Sequence, residues 1–341
     1  MLFIVTGKVG WRGTTTRCRN NLKVNRGLAL EAARVPIATL FGVSVLLCAV
    51  TLKAAEADTD CLIPGGWLTY VSNGDVYTMR PDGWHKKRLT HHGTATWPAY
   101  SMNGCRIIFM SQHNAVDENP HQAFNRLYIM RTAGTHQTAL TASLQSTSHP
   151  RLNRQGTKVV YSKQLLFGTS RTYHALFQSN ANGSSAQEIN NHDVRDPAWS
   201  WTGNGLVCTA GTTGNVEDPA FEQQPDIYVM APVGAALTPL TNNPAYDGEP
   251  ELSPDSSKIV FVSKRDGNAE IYMMNRDGSG QTRLTSHAGN DISPIFSPDG
   301  QTIAWVSNRD GDNEIYTMKI DGTGQKQITI NTVDDKQPHW R

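Results

Sequence analysis

Six short apolar runs punctuate this chain: WLTYVS, RIIFMS, KVVYSK, GLVCTA, KIVFVS and TIAWVS. Each is rich in β-branched and aromatic residues and bounded by Gly, Pro, Asn or Asp, which predicts strands. In the segment DIYVM, Ile227 and Val229 fall on one side of a strand and Tyr228 and Met230 on the other. Both sides are apolar, so the predicted sheets need neighbours on both faces.

The pattern repeats. Taking the aromatic of EIYTM as the origin, its equivalents are Tyr77, Tyr128, Phe177, Tyr228, Tyr272 and Tyr316, spaced 51, 49, 51, 44 and 44 residues apart. Six positions after each stands glycine: Gly83, Gly134, Gly183, Gly234, Gly278 and Gly322. Twelve positions after each stands Leu or Ile, and thirteen after it Thr, with Asn190 the one exception. A proline follows at 20 to 22 positions, from Pro98 to Pro338, with a large apolar residue two places beyond it. Each unit therefore predicts four strands joined by tight turns, and a period of 44 to 51 residues suits radially stacked blades.

The ends fix the count. The repeat region opens on WLTYVS, a second strand lacking its first, and closes on KQPHWR, a first strand lacking its second. Pairing the two completes a blade from both termini and removes the open edges a solenoid would leave. The expected fold is all-β: a six-bladed β-propeller of four-stranded antiparallel blades, closed by its terminal strands.

Composition narrows the class. In 341 residues, 31 Lys plus Arg stand against 30 Asp plus Glu, a balance that calls for no nucleic-acid partner. The beginning differs: seven Lys or Arg lie between Lys8 and Arg34 with the single acid Glu31, followed by the apolar run from Pro36 to Leu52. Ala55, Glu56 and Ala57 then supply a small-x-small cleavage pattern. Residues 1–60 thus read as an export leader, a signal peptide cleaved near Ala57 or, if uncleaved, an inner-membrane anchor. Residues 62–341 form the propeller, expected to be periplasmic or otherwise exported. Beyond the leader, Cys61, Cys105 and Cys208 are an odd set without close spacing, read as small buried hydrophobes; export permits a bridge without requiring one.

The segments ELSPDSSKIVFVSKRDGNAEIYMMNRDGSGQTRLT and PIFSPDGQTIAWVSNRDGDNEIYTMKIDGTGQKQIT resemble the propeller repeats of the TolB family, the periplasmic component of the Tol-Pal envelope system. The resemblance covers the propeller only; that family's N-terminal α/β domain finds no counterpart between the leader and Trp67. It implies a monomeric, non-catalytic protein-binding role, with an envelope partner such as a Pal-like lipoprotein.

Candidate chemistry falls on one face. Units two, three and four carry insertions, Gln112 to Arg126, Gln164 to His174 and Gly211 to Pro225, where the tight turns of units five and six stand. They bring Phe124, Phe167, Arg171, Tyr173 and Phe221, residue types that anchor interfaces, unless the loops only pack over the blade tips. On the same face Asp247, Asp291 and Asp335 precede the proline by three positions, with Glu249 nearby. Around a channel mouth they could hold Ca²⁺, but their recurrence with the repeat favours the other reading, each bonding the amides of its own turn, so no metal or cofactor is expected. The acidic stretch Asp310, Asp312, Glu314 is no helix-flanked calcium loop, because Ile315 occupies the sixth place and strands flank it. No GxSxG or HExxH appears. The alternative is a propeller polysaccharide lyase or glycan-processing enzyme, marked by His149, His192 and Glu249 gathered at the channel mouth.

Overall fold

The computed structural model describes residues 66–341 except 102, 114–124, 142–146, 154, 168–170, 191–192, 201–202, 204, 212–224 and 232, together with four two-residue strands nearer the N-terminus. The chain divides into two units, Met1–Thr59 and Asp60–Arg341. In the first, Glu31–Ala32 pairs with Val50–Thr51 and Thr39–Leu40 with Val43–Ser44, both antiparallel. The predicted cleavage site lies outside the described residues.

The second unit is a six-bladed propeller of four-stranded antiparallel sheets. Blade 1 combines Asp335–Trp340 from the C-terminus with Leu68–Ser72, Asp75–Met79 and Lys87–Arg88. The closing pair runs from Asp335 opposite Ser72 to Trp340 opposite Leu68. Blades 2 to 6 begin at Thr96, Thr147, Val194, Asp247 and Asp291 and each uses consecutive strands.

The core is divided among the blade interfaces. Between blades 6 and 1, Ile295, Ala304, Ile315 and Ile328 pack on Leu68, Tyr70, Met79 and Trp340. Between blades 5 and 6, Val260, Val262 and Ile271 meet Phe296, Trp305 and Tyr316. Each fully buried aliphatic or aromatic side chain contributes roughly 1.5–3 kcal/mol, so both faces of every sheet must be apolar.

The periodic positions are partners of one another. A Cβ on Gly134 would press on Leu89, one on Gly322 on Leu284, and those on Gly83, Gly183 and Gly278 would strike the carbonyls of Ile328, Leu140 and Leu240. The glycine of one blade therefore admits the Leu or Ile of the preceding blade. The threonine at the next position ties strands together: the hydroxyls of Thr90, Thr241, Thr285 and Thr329 accept the backbone N–H of Val76, Ile227, Ile271 and Ile315 at 2.8–2.9 Å. Three of these strands begin on a carboxylate that threonine, with arginine in two of them, satisfies: Asp75 with Thr90 and Arg88, Asp226 with Thr241, Glu270 with Thr285 and Arg283.

Every innermost strand carries the same irregularity. The residue before its proline adopts a left-handed conformation, φ 49–56°, at Trp97, His149, Asp196, Glu249, Ser293 and Gln337. The pairing register shifts there in all six blades. A proline already restricts its predecessor, and a bulge re-aims a side chain.

Candidate functional site

Those six re-aimed residues converge. Trp97, His149, Asp196, Glu249, Ser293 and Gln337, one from each blade, line a single cavity at the centre of the ring. The Gln337 side-chain oxygen accepts the Trp97 N–H at 2.7 Å, and the Trp97 and His149 rings lie 3.6 Å apart. His149 Nε2 meets Asp196 Oδ1 at 2.8 Å, while Glu249 Oε2 accepts from the Ser293 N–H and hydroxyl at 2.8 and 2.9 Å. A belt of contacts thus runs through most of the ring.

Two residues further along three of these strands stand Arg151, Glu251 and His339, which line an adjoining cavity with Tyr100, Trp199 and Trp340. Arg151 Nε and Glu251 Oε2 face each other at 3.9 Å, too far for a hydrogen bond. Burial pushes Glu251 up to about 7, with Arg151 opposing. Burial also opposes ionisation of Asp196, but the charge and hydrogen bond of His149 hold that carboxyl down at about 2. Glu249 is raised by burial and by the Asp196 charge, against which Ser293 works. His339 is lowered well below the usual imidazole range by burial and by Arg151 and Arg341.

The predicted aspartates lie elsewhere. Asp247, Asp291 and Asp335 line neither cavity; they are buried at the start of their strands. Asp247 takes Arg265 at 2.8 Å, Asp291 takes Arg309 at 3.0 Å, and Asp335 accepts the Asn331 amide at 2.8 Å. The bulge turns the pre-proline residue, two places on, into the channel cavity in their stead. Of the residues expected at the mouth, Glu249 and His149 reach it; His192 lies outside the described residues. Among the described residues no group of three or more His, Cys, Asp or Glu side chains is placed to hold a metal ion. Trp97, Asp196, Ser293, Gln337, Arg151 and Glu251 escape a reading of the sequence. The one signal that points to them is a proline in every unit preceded by a residue that never repeats.

On the loop-bearing face, the insertion of the third unit is not a loop. Lys158–Phe167 and Arg171–Asn180 form a ten-residue antiparallel hairpin whose last rungs pair Gln164 with His174, Leu165 with Tyr173 and Phe167 with Arg171. The corresponding strands of blades 5 and 6 have six residues, so this hairpin continues four rungs further. Leu165, Leu166, Phe167 and Tyr173 suit a ladder, which is why the insertion extends the sheet. Its base is tied to blade 4: Asp193 accepts the His174 N–H at 2.7 Å and pairs with Arg195 at 2.7 Å. Burial works against the Asp193 charge, yet His174 and Arg195 hold its carboxyl at about 2. Phe124 and Phe221 lie outside the described residues.

Cysteine usage also departs from expectation in one place. Cys208 is free and buried, as the sequence implies, whereas Cys105 is disulfide-bonded, its partner lying outside the described residues.

A family model described as the TolB beta propeller domain matches residues 197–285 and 220–341. A TolB homolog of Chlorobium luteolum is 28% identical over 195 residues, 57% of this chain; the match spans only 40% of that relative's length. The crystal structure of TolB from Acinetobacter baumannii superposes with a TM-score of 0.67 at 16% identity, covering 81% of this chain and 66% of that one. An oligogalacturonate lyase in complex with manganese shares the fold at a TM-score of 0.50 and 16% identity, over 78% of this chain and 74% of that one.

Proposed function

Starting from a TolB-like β-propeller, we propose that this protein is an exported, non-catalytic binding module that captures another envelope protein on its loop-bearing face. The observation that carries the reading is the blade 3 hairpin, which stands four rungs beyond its counterparts. It forms a ribbon that includes Phe167, Arg171 and Tyr173, flanked in sequence by the insertions bearing Phe124 and Phe221. Aromatic residues and Arg dominate binding energy when a partner buries them. The similarity to TolB proteins of Chlorobium and Acinetobacter supports a partner of the kind TolB engages, a Pal-like lipoprotein or another exported protein. The disulfide at Cys105 supports an oxidising compartment.

The ribbon is separable from the ring. Replacing Leu165–Tyr173 by a two-residue turn leaves a hairpin of seven rungs, ending at Gln164 opposite His174, against six in blades 5 and 6. The expected result is loss of partner capture from an envelope extract with the thermal midpoint held within a few degrees; undiminished capture would refute the proposed face.

One observation favours the second reading, a glycan-processing enzyme. Glu251, at about 7, has the poise of a general acid, and it shares a cavity with His149, Asp196 and Glu249. Incubating the protein with uronate-containing oligosaccharides and searching for cleaved products by mass spectrometry separates the two. Cleavage that Glu251→Gln abolishes would replace the binding reading with the catalytic one.

A further inference from the structure

The six units are near copies, so a place where one departs from the others in charge is informative. In blade 5, Glu270 begins its strand fully buried and fully satisfied. It accepts from Arg283 at 2.7 Å, Thr285 at 2.6 Å, the His287 N–H at 2.9 Å and the Asn268 amide at 3.1 Å. The neighbouring Asp291 is neutralised by Arg309. Two guanidinium groups thus accompany two buried carboxylates.

Forty-four residues on, the carboxylates remain and their cations are gone. Glu314 and Asp335 are each only 1% exposed. Gln327 stands where Arg283 did, and Asp312 replaces Asn268. The closing strand pairs with the N-terminal segment, where Gly74 takes the place of Arg309, two residues after the strand-ending serine. Asn331 supplies part of what is missing: its N–H to Glu314 Oε1 at 2.7 Å and its amide to Asp335 Oδ2 at 2.8 Å. Glu314 Oε2, Asp335 Oδ1 and Asp312 Oδ2 are buried without a hydrogen-bond partner. The Thr329 hydroxyl lies beside both Glu314 and Asp335, and the Ser72 hydroxyl beside Asp335, but each has one proton to offer and neither carries charge. Lys86 acts on Asp335 only through its distant charge.

Burying a carboxylate without a counter-charge is costly. We propose that a divalent cation, Ca²⁺, bridges blades 6 and 1 between Glu314 and Asp335, replacing the two arginines that neutralise the equivalent pair between blades 5 and 6. The donors are all oxygen, with no imidazole or thiolate among them, which selects a hard cation. Glu314 Oε2, Asp335 Oδ1 and the Thr329 hydroxyl supply three oxygens. The carboxylates of Glu314 and Asp335 converge on the Thr329 hydroxyl, and Asp312 on the adjoining turn adds to the negative charge around Glu314. Water completes the shell, since Ca²⁺ takes six to eight oxygens in flexible geometry. The site sits where the chain ends close the ring, so the ion acts on closure. It is separate from both the channel belt and the blade 3 ribbon.

The experiment is a thermal unfolding series on the full chain at pH 7 with chelator, Ca²⁺ or Mg²⁺, alongside a direct Ca²⁺ titration by calorimetry. The wild-type midpoint is expected to rise by roughly 2–4 °C at tenfold saturation with Ca²⁺, with less effect from Mg²⁺ and one ion bound. Gln327→Arg returns one of the two arginines, the one beside Glu314; it is expected to raise the midpoint in chelator and to weaken the Ca²⁺ response. Glu314→Gln with Asp335→Asn should abolish it. Absence of any wild-type response, or an equal response in Gln327→Arg, would overturn the site.

Discussion

At the residue scale, the channel holds carboxylates whose environments push them in opposite directions. Glu251 is raised from 4.5 to about 7, so its ionisation weighs against the folded state. The stability it allows is complete below about 4.5 and is lost as pH rises to about 7, a span worth on the order of 3 kcal/mol. Asp193 and Asp196 behave inversely. Lowered from 3.8 to about 2, they stabilise the fold above the first value and lose that contribution as pH falls through the second. Urea unfolding from pH 2 to 8 should therefore show Glu251→Gln flattening the decline between pH 4.5 and 7, while Asp196→Asn weakens the protein at pH 7 and softens its acid limb below pH 4. An unchanged slope in Glu251→Gln would show that Arg151 compensates the charge despite the 3.9 Å gap. Of this polarity only His149 and Glu249 are legible in the sequence. Trp97, His149, Asp196, Glu249, Ser293 and Gln337 share no chemical property, only a proline neighbour and a left-handed backbone that their side chains do not announce.

At the element scale, sequence and structure agree more closely. The strands and their order follow from β-branched runs and punctuating turns, and the glycine and Leu/Ile periodicities are visible as two separate signals. Their physical link is not, because the partners are about 40 residues apart and belong to adjacent blades: Gly278 meets Leu240 and Gly322 meets Leu284. The link makes a graded prediction. Gly183→Ala would place a methyl group against the Leu140 carbonyl at φ +81°, whereas Gly234, at φ +87°, has open space around it. The left-handed penalty alone is about 1–2 kcal/mol, so Gly234→Ala should lower stability by roughly that amount and Gly183→Ala by more, read from denaturant midpoints. Equal losses would mean that backbone conformation, and not the blade contact, preserves these glycines. The blade 3 hairpin marks the other limit of the sequence. Length and period reveal an insertion there, but not that Leu165 to Phe167 and Tyr173 continue the ladder instead of making a loop.

At the scale of the whole molecule, closure by the terminal strands follows from the incomplete units at the two ends of the repeat region, and the pairing of Asp335–Trp340 with Leu68–Ser72 realises it. The two ends are thus held in one sheet. Deleting residues 335–341 should abolish cooperative unfolding, whereas a circular permutant joined across the ends of the propeller and opened at the exposed Asp277–Ser279 turn should unfold within a few degrees of the parent. Binding, by contrast, belongs to the parts in which the blades differ. Its most direct test is quantitative capture from an envelope extract by the full chain and by the Phe167→Ala, Phe221→Ala double variant, with thermal midpoints recorded in parallel. The proposed face predicts that one or a few exported proteins enriched by the parent are lost from the variant at an unchanged midpoint. Equal enrichment by both proteins would contradict it.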